Sequence, residues 1–397
     1  MNKIEKFIFL TLNDTEIASI RPNSIDLMKN LKKQGFHVVK YVAADRYELK
    51  QMALDFAKSK NEFTLLVFSS DEELYELSRS DLTIEEKKSI LPVGNELAFD
   101  ILGSKVGFSE FCLRNSIPHP KTQIIKNQKE LQNFEKDLIF PIIIKSDRGA
   151  GGHSVFRIEN YAQLSSFVDA ESMTPLILQE NIKSKLYSVE AYFWNGYLTG
   201  WMFSEIVESF SEFGISFARK YFNPEDRSFI EILNQFGKLA KANGFASCGF
   251  FHSKEYGYLL FEADLRPNAW HFLFDPLGIN LNSRFVAKEA TTSLHPLYPT
   301  NLPQNGLVLR LARRELEHAL NNRKYIKYFS LSISMALVNS LKKNPGIKLE
   351  SFHLFHFLRI ISLVPIKIIY SFVPRIIRDW AGKRKVTVLI IRKILPK

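Results

Sequence analysis

The N-terminal quarter of the chain alternates apolar runs with amphipathic stretches. The apolar runs are rich in β-branched and aromatic residues and predict strands, at Lys6–Leu12, His37–Ala43 and Thr64–Ser69. The stretches between them repeat apolar residues at helical spacing and predict helices, at Ile25–Gln34, Tyr47–Lys58 and Asp71–Leu77. Strands that alternate with helices are typical of a parallel sheet covered by helices. No GxGxxG motif follows the first strand, so the pattern does not favour nicotinamide binding.

The stretch 140–155 carries the first candidate chemistry. Its apolar start predicts a strand that ends at Lys145, and a loop follows with Gly149, Gly151 and Gly152. Glycine lets backbone N–H groups approach a polyphosphate closely, and the lysine supplies a cation. The order of residues differs from that of a P-loop. The pattern predicts either a phosphate-binding hairpin or a plain glycine turn beside a structural lysine.

A second predicted strand, Leu259–Asn268, ends in alternating charges. With a period of two residues, Glu262, Asp264 and Arg266 project from one face. Two carboxylates at this spacing can hold a hard divalent cation that also touches substrate phosphates. An arginine beside them suits charge that develops on a transferring phosphoryl group. The alternative is an exposed strand end with ordinary surface charges.

Further candidates lie between these two segments or before them. Leu176–Ile182 predicts a strand that runs into an acid. Glu190 lies inside the apolar run Tyr187–Trp194, where a carboxylate is costly to bury unless it is paired or binds a ligand. Upstream, Lys105 opens a helical stretch, Lys105–Asn115, that a proline-rich segment ends.

The order of these motifs resembles that of ATP-grasp enzymes of the carboxylate–amine ligase and carbamoyl-phosphate-synthase-like type. The resemblance covers about 93 to 268 and, more loosely, 1 to about 315. The family has a lysine and a proline-rich lid entry, a P-x-x-x-K strand with a G-x-G-G loop, a Q-E-x-I hinge and an E-x-N-x-R strand. The matching residues are Lys105 with Ser116–Pro120, Pro141 and Lys145 with the three glycines, Gln179–Ile182, and Glu262, Asp264 and Arg266.

The resemblance implies an α/β (α+β) ATP-grasp fold with a basic C-terminal extension. A Rossmann-like lobe would span 1–95, the ATP-grasp domain 96–315 with its lid at about 121–178, and the extension 323–397. ATP with Mg²⁺ or Mn²⁺ would be the cofactors. A small-molecule carboxylate and an amine would be the substrates.

The roles of family residues carry over to the matching positions as expectations. Lys105 and Lys145 would contact ATP phosphates, and the lid residues Gly149, Gly151, Gly152, His153 and Ser154 would cover them. Glu180, Asn181 and Ile182 would meet the adenine edge, and Glu190 would face the ribose. The metal ligands would be Glu262 and Asp264, and the catalytic residues would be Arg266 and Lys145.

The sequence departs from the family pattern around the metal site. Asp264 stands where the family has Asn. On the preceding strand, Cys248, Phe250 and His252 are expected to face the site, and none of them is an acid. Since Mg²⁺ prefers oxygen ligands, His252 is expected to be packed rather than to bind metal. One metal ion instead of two, or compensation by Asp264, would account for the missing acid, and a catalytically degenerate nucleotide-binding protein is the alternative.

Charge is distributed unevenly along the chain. The net charge of the 397 residues is +11, but the segment from Arg323 onward holds 16 Lys and Arg residues against two acids. Within it, Leu354–Pro374 is apolar and long enough to span a bilayer, yet Arg359 and Lys367 interrupt it. Each would cost about 2.5–3.5 kcal/mol near a bilayer centre. We expect residues 353–397 to bind an anionic membrane surface. Accessory helices packed on the body are the alternative, and the many bulky aliphatic residues argue against nucleic acid.

The predicted function is an ATP- and Mg²⁺-dependent ligase that joins a carboxylate to an amine through an acyl-phosphate. A membrane-bound tail would favour a cell-envelope precursor as substrate, and an anionic substrate would meet Arg219, Lys220 and Arg227 unless these are surface charges. The alternatives are a degenerate nucleotide-binding protein recruited to the membrane and an ATP-dependent small-molecule kinase. Two distant cysteines and a short N-terminal apolar run predict a cytoplasmic protein, peripheral on the membrane if the tail binds lipid.

Overall fold

A computed structural model of the chain describes residues 6–12, 22–59, 64–126, 130, 138–170, 175–282, 296–300, 302–311, 314–315, 318–319 and 322. The chain divides into two compact units, 1–309 and 310–397. In the second unit, Arg310 Nη1 forms an ion pair with Glu315 Oε1 at 2.7 Å. The basic extension 323–397, with its expected membrane contact, lies outside the described residues. Within the described part, no helix is both long enough and apolar enough to cross a membrane.

Strands and helices alternate at first, and strands dominate from the middle of the chain. The strands are β1 (Lys6–Leu12), β2 (His37–Ala43), β3 (Thr64–Phe68), β4 (Thr122–Ile125), β5 (Ile142–Ser146), β6 (Val155–Ile158), β7 (Leu176–Glu180), β8 (Leu186–Trp194), β9 (Tyr197–Ser209), β10 (Ser216–Tyr221), β11 (Gly244–Ser253), β12 (Gly257–Asp264) and β13 (Leu307–Arg310). The helices are α1 (Pro22–Lys33), α2 (Arg46–Ser59), α3 (Asp71–Arg79), α4 (Ile84–Ile90), α5 (Lys105–Arg114), α6 (Tyr161–Ala170) and α7 (Phe229–Ala240).

The first lobe contains a parallel sheet in the order β2-β1-β3. The predicted strands Lys6–Leu12 and His37–Ala43 are found with those bounds, because their apolar runs are buried in the lobe. Helix α3 begins after Ser70, whose hydroxyl accepts from Glu73 N while Glu73 Oε2 accepts from Ser70 N at 3.0 Å. This capping box fixes the first turn of α3 at the carboxyl ends of β1 and β3.

The lid sheet has the antiparallel order β4-β7-β5-β6 and its own small apolar core. Strands β5 and β6 form a hairpin, with Ile142 opposite Ile158 and Lys145 opposite Val155. Ile144 is completely buried, as the β-branched run predicts. The hairpin therefore presents Lys145 and the following glycine loop at one end of the lid.

The third sheet has six strands in the order β12-β11-β8-β9-β10-β13. One face packs on α5 and α7, where the rings of Phe111 and Phe236 meet edge to face at 5.9 Å. Alternate residues of β8 belong to this core, among them Val189 and Ala191, so Glu190 projects from the opposite face. The face opposite the core carries the charged residues described below.

A β-bulge in β12 decides which of its residues face the core. The register pairs Phe250 with Leu260 and then Gly249 with Glu262, which leaves Phe261 as the extra residue. Leu260 lies in the core before the bulge, and Ala263 lies in the core after it. Glu262 and Asp264 consequently share the opposite face.

The structure corrects three sequence-based expectations in this region. The strand ends at Asp264 rather than Asn268, so Arg266 follows it in a loop. Cys248 and Phe250 lie in the core, so the expectation that they face the metal site is wrong. Helix α7 ends at Ala240 through left-handed Lys241, and Gly244 begins β11 instead of ending the helix.

Candidate active site

The N-terminus of α5 is bound to the loop that follows β5. Asp147 Oδ1 accepts hydrogen bonds from Ser104 Oγ at 2.6 Å and from Val106 N at 3.0 Å. A carboxylate is stabilised there by the unpaired N–H groups of the first helical turn. Lys105 Nζ then donates to the Gly149 carbonyl at 2.7 Å. These bonds bring the predicted phosphate-binding Lys105 to the glycine loop of the lid.

The glycine loop needs a backbone that other residues rarely adopt. Gly149, Gly151 and Gly152 have φ angles of 124°, 67° and 79°, and a Cβ on Gly152 would overlap the Phe213 carbonyl. The Ser154 hydroxyl is buried and bonds to no residue that the structure describes, whereas the His153 side chain is exposed. A buried hydroxyl without a partner is costly, so Ser154 is suited to bind a ligand.

Lys145 lies between the lid hairpin and β12. Its Nζ is 5.3 Å from the centre of the Phe261 ring. Desolvation lowers the pKa of Lys145 to about 8; the Glu262 carboxylate acts in the opposite direction, and the Lys105 ammonium lowers it further. The two lysines and Glu262 are therefore close enough to act on one another electrostatically.

The hinge after the lid offers one free polar group. Glu180 Oε1 accepts from Lys121 N at 2.6 Å, so its carboxylate holds the hinge to the start of β4. The carbonyl of Ile182 accepts from Ser184 N at 3.1 Å. The Asn181 Nδ2 group is buried and donates to no described residue. Of the three expected adenine contacts, Asn181 has the side chain left free for a ligand.

We call Lys105, Lys145, Glu262, Asp264 and Arg266 the outer cluster. Arg266 Nη2 donates to Asp264 Oδ2 at 3.1 Å, and Lys105 and Glu262 also act on Asp264. Desolvation raises the pKa of Asp264 well above its ordinary value, and the Asp71 carboxylate raises it further. The predicted phosphate and metal residues thus meet in one place, with two carboxylates on one strand.

The outer cluster fits a single cation that arrives with nucleotide phosphates. Among the residues described, no group of three or more His, Cys, Asp or Glu side chains could hold a metal ion. Gly249 lies opposite Glu262 in the register, and a Cβ there would be 2.5 Å from Phe261 Cζ. Mg²⁺ is commonly bound by one or two carboxylates together with substrate phosphates, and Glu262 and Asp264 match that donor set.

A second group of polar side chains lies on β8, β10 and the segment after β12. We call it the inner cluster; its members are Ser188, Glu190, Arg219, Asn268 and His271. Arg219 Nη1 contacts Glu190 Oε1 at 2.5 Å, and both side chains are buried. Glu190 also accepts from Ser188 Oγ at 2.9 Å and from Asn268 Nδ2 at 3.0 Å. His271 also acts on Glu190 electrostatically.

The register places the two clusters two strands apart. Ser247 pairs with Glu190 on one side and with Asp264 on the other. Neighbouring strands are about 4.8 Å apart, so roughly 10 Å separates the backbones of Glu190 and Asp264. Glu190 is thus paired with Arg219 at a distance from the outer cluster. The ribose contact expected for Glu190 and the substrate contact expected for Arg219 stay predictions.

Burial acts differently on the acid and the imidazole of the inner cluster. Burial acts to raise the pKa of Glu190, but Arg219, His271, Asn268 and Ser188 together outweigh burial and hold the pKa below its ordinary value. Burial lowers the pKa of His271 to about 4. His271 Nε2 lies 3.4 Å from the Ala191 carbonyl and Nδ1 accepts from Asn268 N at 3.0 Å, as a neutral imidazole can.

Several charged residues near the site escaped the sequence analysis. Asp71 binds Arg266, and Glu72 binds Arg148 in the lid loop. The sequence does contain a signal for the helix that carries both acids, since Ser70 and Glu73 have capping-box spacing. Nothing local indicates the partner of Asp71, which is 195 residues away.

Other candidates are occupied elsewhere. His252 Nε2 lies 3.4 Å from Asp226 Oδ2, and its ring packs on Tyr258 at 4.3 Å, so it is packed as expected. The guanidinium of Arg227 lies 4.7 Å from the centre of the Tyr298 ring. Both cysteines, Cys112 and Cys248, are free and buried, and desolvation raises the pKa of each thiol.

Comparisons with known proteins agree with the order of motifs. A family model described as a RimK-like ATP-grasp domain matches residues 104–188. No curated protein matches the sequence.

Three solved structures show the same fold at low sequence identity. The ADP complex of N5-carboxyaminoimidazole ribonucleotide synthetase has a TM-score of 0.58 at 12% identity, covering 82% of this chain and 87% of that one. The biotin carboxylase domain of 2-oxoglutarate carboxylase from Hydrogenobacter thermophilus, with MgADP and bicarbonate, has a TM-score of 0.54 at 14% identity, covering 75% and 72%. The L-amino acid ligase from Bacillus licheniformis has a TM-score of 0.50 at 12% identity, covering 69% and 70%.

These likenesses confirm the fold that the motifs predicted. The matched domain includes Lys105, Lys145, the lid glycines and the hinge, which are among the residues that carried the resemblance. The chain has an ATP-grasp fold, and its residues 104–188 match a RimK-like ATP-grasp domain.

Proposed function

We propose that this protein is an ATP- and Mg²⁺-dependent ligase that joins a carboxylate to an amine through an acyl-phosphate and releases ADP and phosphate. The observation that supports this best is the outer cluster. Two lysines from the lid side and two carboxylates from β12 meet in one place, with Arg266 beside them. Such a mixture suits a polyphosphate that binds together with a divalent cation.

Each residue of the site has a role in this proposal. Lys105 and Lys145 neutralise the phosphates, and Ser154 donates a hydrogen bond to them from the lid loop. The Asn181 amide meets the adenine edge. The closed lid excludes water that would otherwise hydrolyse an acyl-phosphate.

Three residues on the other side of the site act on the reacting groups. Arg266 stabilises the charge that moves between the phosphate and the substrate carboxylate. Glu262 and Asp264 would hold Mg²⁺, which when bound supplies charge neutralisation and orients the phosphates. The amine substrate then attacks the acyl carbon, the new C–N bond forms, and phosphate leaves with the former carboxylate oxygen.

One observation favours a second candidate, a nucleotide-binding protein without catalysis. The position opposite Glu262 is Gly249, and the Phe261 ring occupies the space where a third carboxylate would project. A site with fewer acids would bind nucleotide and turn it over poorly. Direct phosphorylation of a small molecule is the remaining alternative, since the same residues could serve a kinase.

The test is ADP release by the purified full-length protein with ATP and Mg²⁺, in the presence of pooled amino acids and small carboxylates. We expect one pool to stimulate release, and Lys145→Ala to lower the stimulated rate at least about 100-fold. The matched control is Lys185→Ala, since that lysine is 66% exposed and pairs with Glu205 at 2.9 Å.

The products separate the three functions. An amide with ADP and phosphate supports the ligase. A phosphorylated product with ADP would identify a kinase instead. Tight ADP binding without turnover in any pool would identify a binding protein.

A cell-envelope precursor as substrate and a peripheral position at the cytoplasmic membrane face belong to the same proposal. Both rest on the basic, apolar sequence of 353–397. Sedimentation with anionic phosphatidylglycerol vesicles, compared with neutral phosphatidylcholine vesicles, tests the membrane contact. Equal recovery with both vesicles would contradict it.

A further inference from the structure

The first turn of α3 holds Asp71 in a fixed place. Glu73 is 2% exposed and accepts from Leu12 N at 2.9 Å and from Ser69 N at 2.7 Å, which ties the turn to the ends of β1 and β3. Gly103, with a φ of 67°, packs so closely on the Asp71 carbonyl that a Cβ would overlap it. Asp71 is therefore supported from both sides.

Asp71 accepts hydrogen bonds from two guanidinium nitrogens of Arg266. Arg266 Nε donates to Asp71 Oδ1 at 2.7 Å, and Nη2 donates to Asp71 Oδ2. The same Nη2 also reaches Asp264 Oδ2 at 3.1 Å. The guanidinium is 7% exposed, so it is held between an acid of the first lobe and an acid of β12. A paired, bidentate contact of this kind fixes orientation as well as charge.

This sharing decides how strongly the Asp264 carboxylate is paired with Arg266. With Asp71 present, the guanidinium is largely neutralised by a carboxylate that does not belong to the proposed cation site. Without Asp71, the guanidinium would have Asp264 and Glu262 as its nearby acids, and its pairing with them would compete with a cation. The loss of the Asp71 charge itself would weaken a nearby cation in the same direction.

We infer that Asp71 is a positioning residue for the cation site: it takes the larger part of the pairing of Arg266, so that Asp264 and Glu262 can hold Mg²⁺. The inference rests on the proposed function, because it assumes that nucleotide and Mg²⁺ bind at the outer cluster. It makes the first lobe a part of the site through a contact with Arg266.

Calorimetric titration of ADP into the full-length protein tests the inference, first in EDTA and then across a series of Mg²⁺ concentrations. Mg²⁺ should increase the affinity for ADP, and the Mg²⁺ concentration that gives half of this increase is the measured quantity. For Asp71→Asn, we expect this concentration to rise about tenfold. In EDTA, ADP should bind Asp71→Asn at least as tightly as wild type, because the site has lost a negative charge. Glu72→Gln is the matched control, since Glu72 lies in the same turn and pairs with the exposed Arg148 and Arg46.

If Asp71→Asn weakens ADP binding with Mg²⁺ but not in EDTA, Asp71 acts on the cation site and does not only support the fold. Weaker ADP binding by the same factor in both conditions, or a Mg²⁺ requirement equal to that of Glu72→Gln, overturns the inference. Asp71→Glu should restore part of the Mg²⁺ response. Wild-type protein that binds no ADP at any Mg²⁺ concentration overturns the proposed function itself, and the inference with it.

A second variant keeps the test decisive if Asp71→Asn does not fold. Arg266→Gln removes the guanidinium that competes for Asp264, so less Mg²⁺ than in wild type should be needed for the same gain in ADP affinity. The double variant Asp71→Asn/Arg266→Gln should need less Mg²⁺ than Asp71→Asn alone. A higher requirement in Arg266→Gln than in wild type contradicts the inference.

Discussion

The inner and outer clusters each combine an arginine with carboxylate, two strands apart on one face of a sheet, yet they differ in the groups that bind these charges. In the inner cluster, Glu190 meets Arg219, Ser188 and Asn268, all from the protein itself. In the outer cluster, two lysines and two carboxylates gather beside polar groups in the lid and hinge that bond to no described residue. Charge alone therefore does not mark a ligand site, and incomplete satisfaction by the protein is the better indicator.

The largest effect is expected where the inner cluster is broken. Arg219→Met leaves Glu190 buried without its counter-ion, and the free energy of unfolding should fall by about 3–5 kcal/mol. Urea unfolding measures this, and Glu190→Gln/Arg219→Met should regain most of the loss. Unchanged stability together with weaker ADP binding would instead move Glu190 to the nucleotide site, as its expected ribose contact requires.

His271 gives the inner cluster a pH dependence of stability. Its pKa is about 4 in the folded chain against an ordinary value of 6.5, so protonation favours the unfolded chain. The neutral imidazole makes its full contribution to the free energy of unfolding above pH 6.5. This contribution is lost as the pH falls toward about 4, and the loss is at most about 3 kcal/mol. Thermal unfolding from pH 7 to 4 should show a smaller loss in His271→Gln than in wild type. Parallel curves would show that the imidazole does not contribute.

Breaking the outer cluster should affect turnover and leave stability unchanged. Glu262 is exposed, so Glu262→Gln should unfold at the same temperature as wild type while ATP-dependent turnover falls at least about 100-fold. Glu255→Gln in the same hairpin is the control. Full turnover in Glu262→Gln would remove this carboxylate from the proposed cation site.

The smallest effect concerns the charge of Lys145. Its pKa of about 8 means that the amine is charged below that pH and neutral above it, and a polyphosphate favours the charged form. ADP affinity should therefore decline above about pH 8, by up to about tenfold per pH unit. Titration of Lys145→Arg over the same range should show a flatter profile, since arginine stays charged. Identical profiles would place the titrating group elsewhere.

The sequence was most informative where local pattern and chemistry coincide. The apolar runs placed β1 and β2, and the i, i+2 spacing placed Glu262 and Asp264 on one face. The expected face of Cys248 was wrong because Ser247 and Gly249, rather than Cys248, lie opposite Asp264 and Glu262, and the sequence of β11 does not reveal this register.

Contacts between distant segments could not be read from the sequence. Arg266 was expected to act with Asp264, but it also binds Asp71, which lies on helix α3 of the first lobe. Likewise, Glu190 was a candidate for nucleotide binding because its partner, Arg219, is 29 residues away on β10. Motif order was enough to predict the fold, whereas the partner of each charge depends on how the sheets meet.

The pair formed by Gly249 and Phe261 also restricts how this lineage could change by mutation. A side chain at position 249 would meet the Phe261 ring, so Gly249→Asp requires that ring to move. Phe261→Ala alone would remove a ring that packs on Phe251 at 4.6 Å and lies near the Lys145 amine. A third carboxylate at position 249 therefore depends on the Phe261 ring, which must shift or be replaced to make room for it. Positions 249 and 261 on two adjacent strands are coupled in this way.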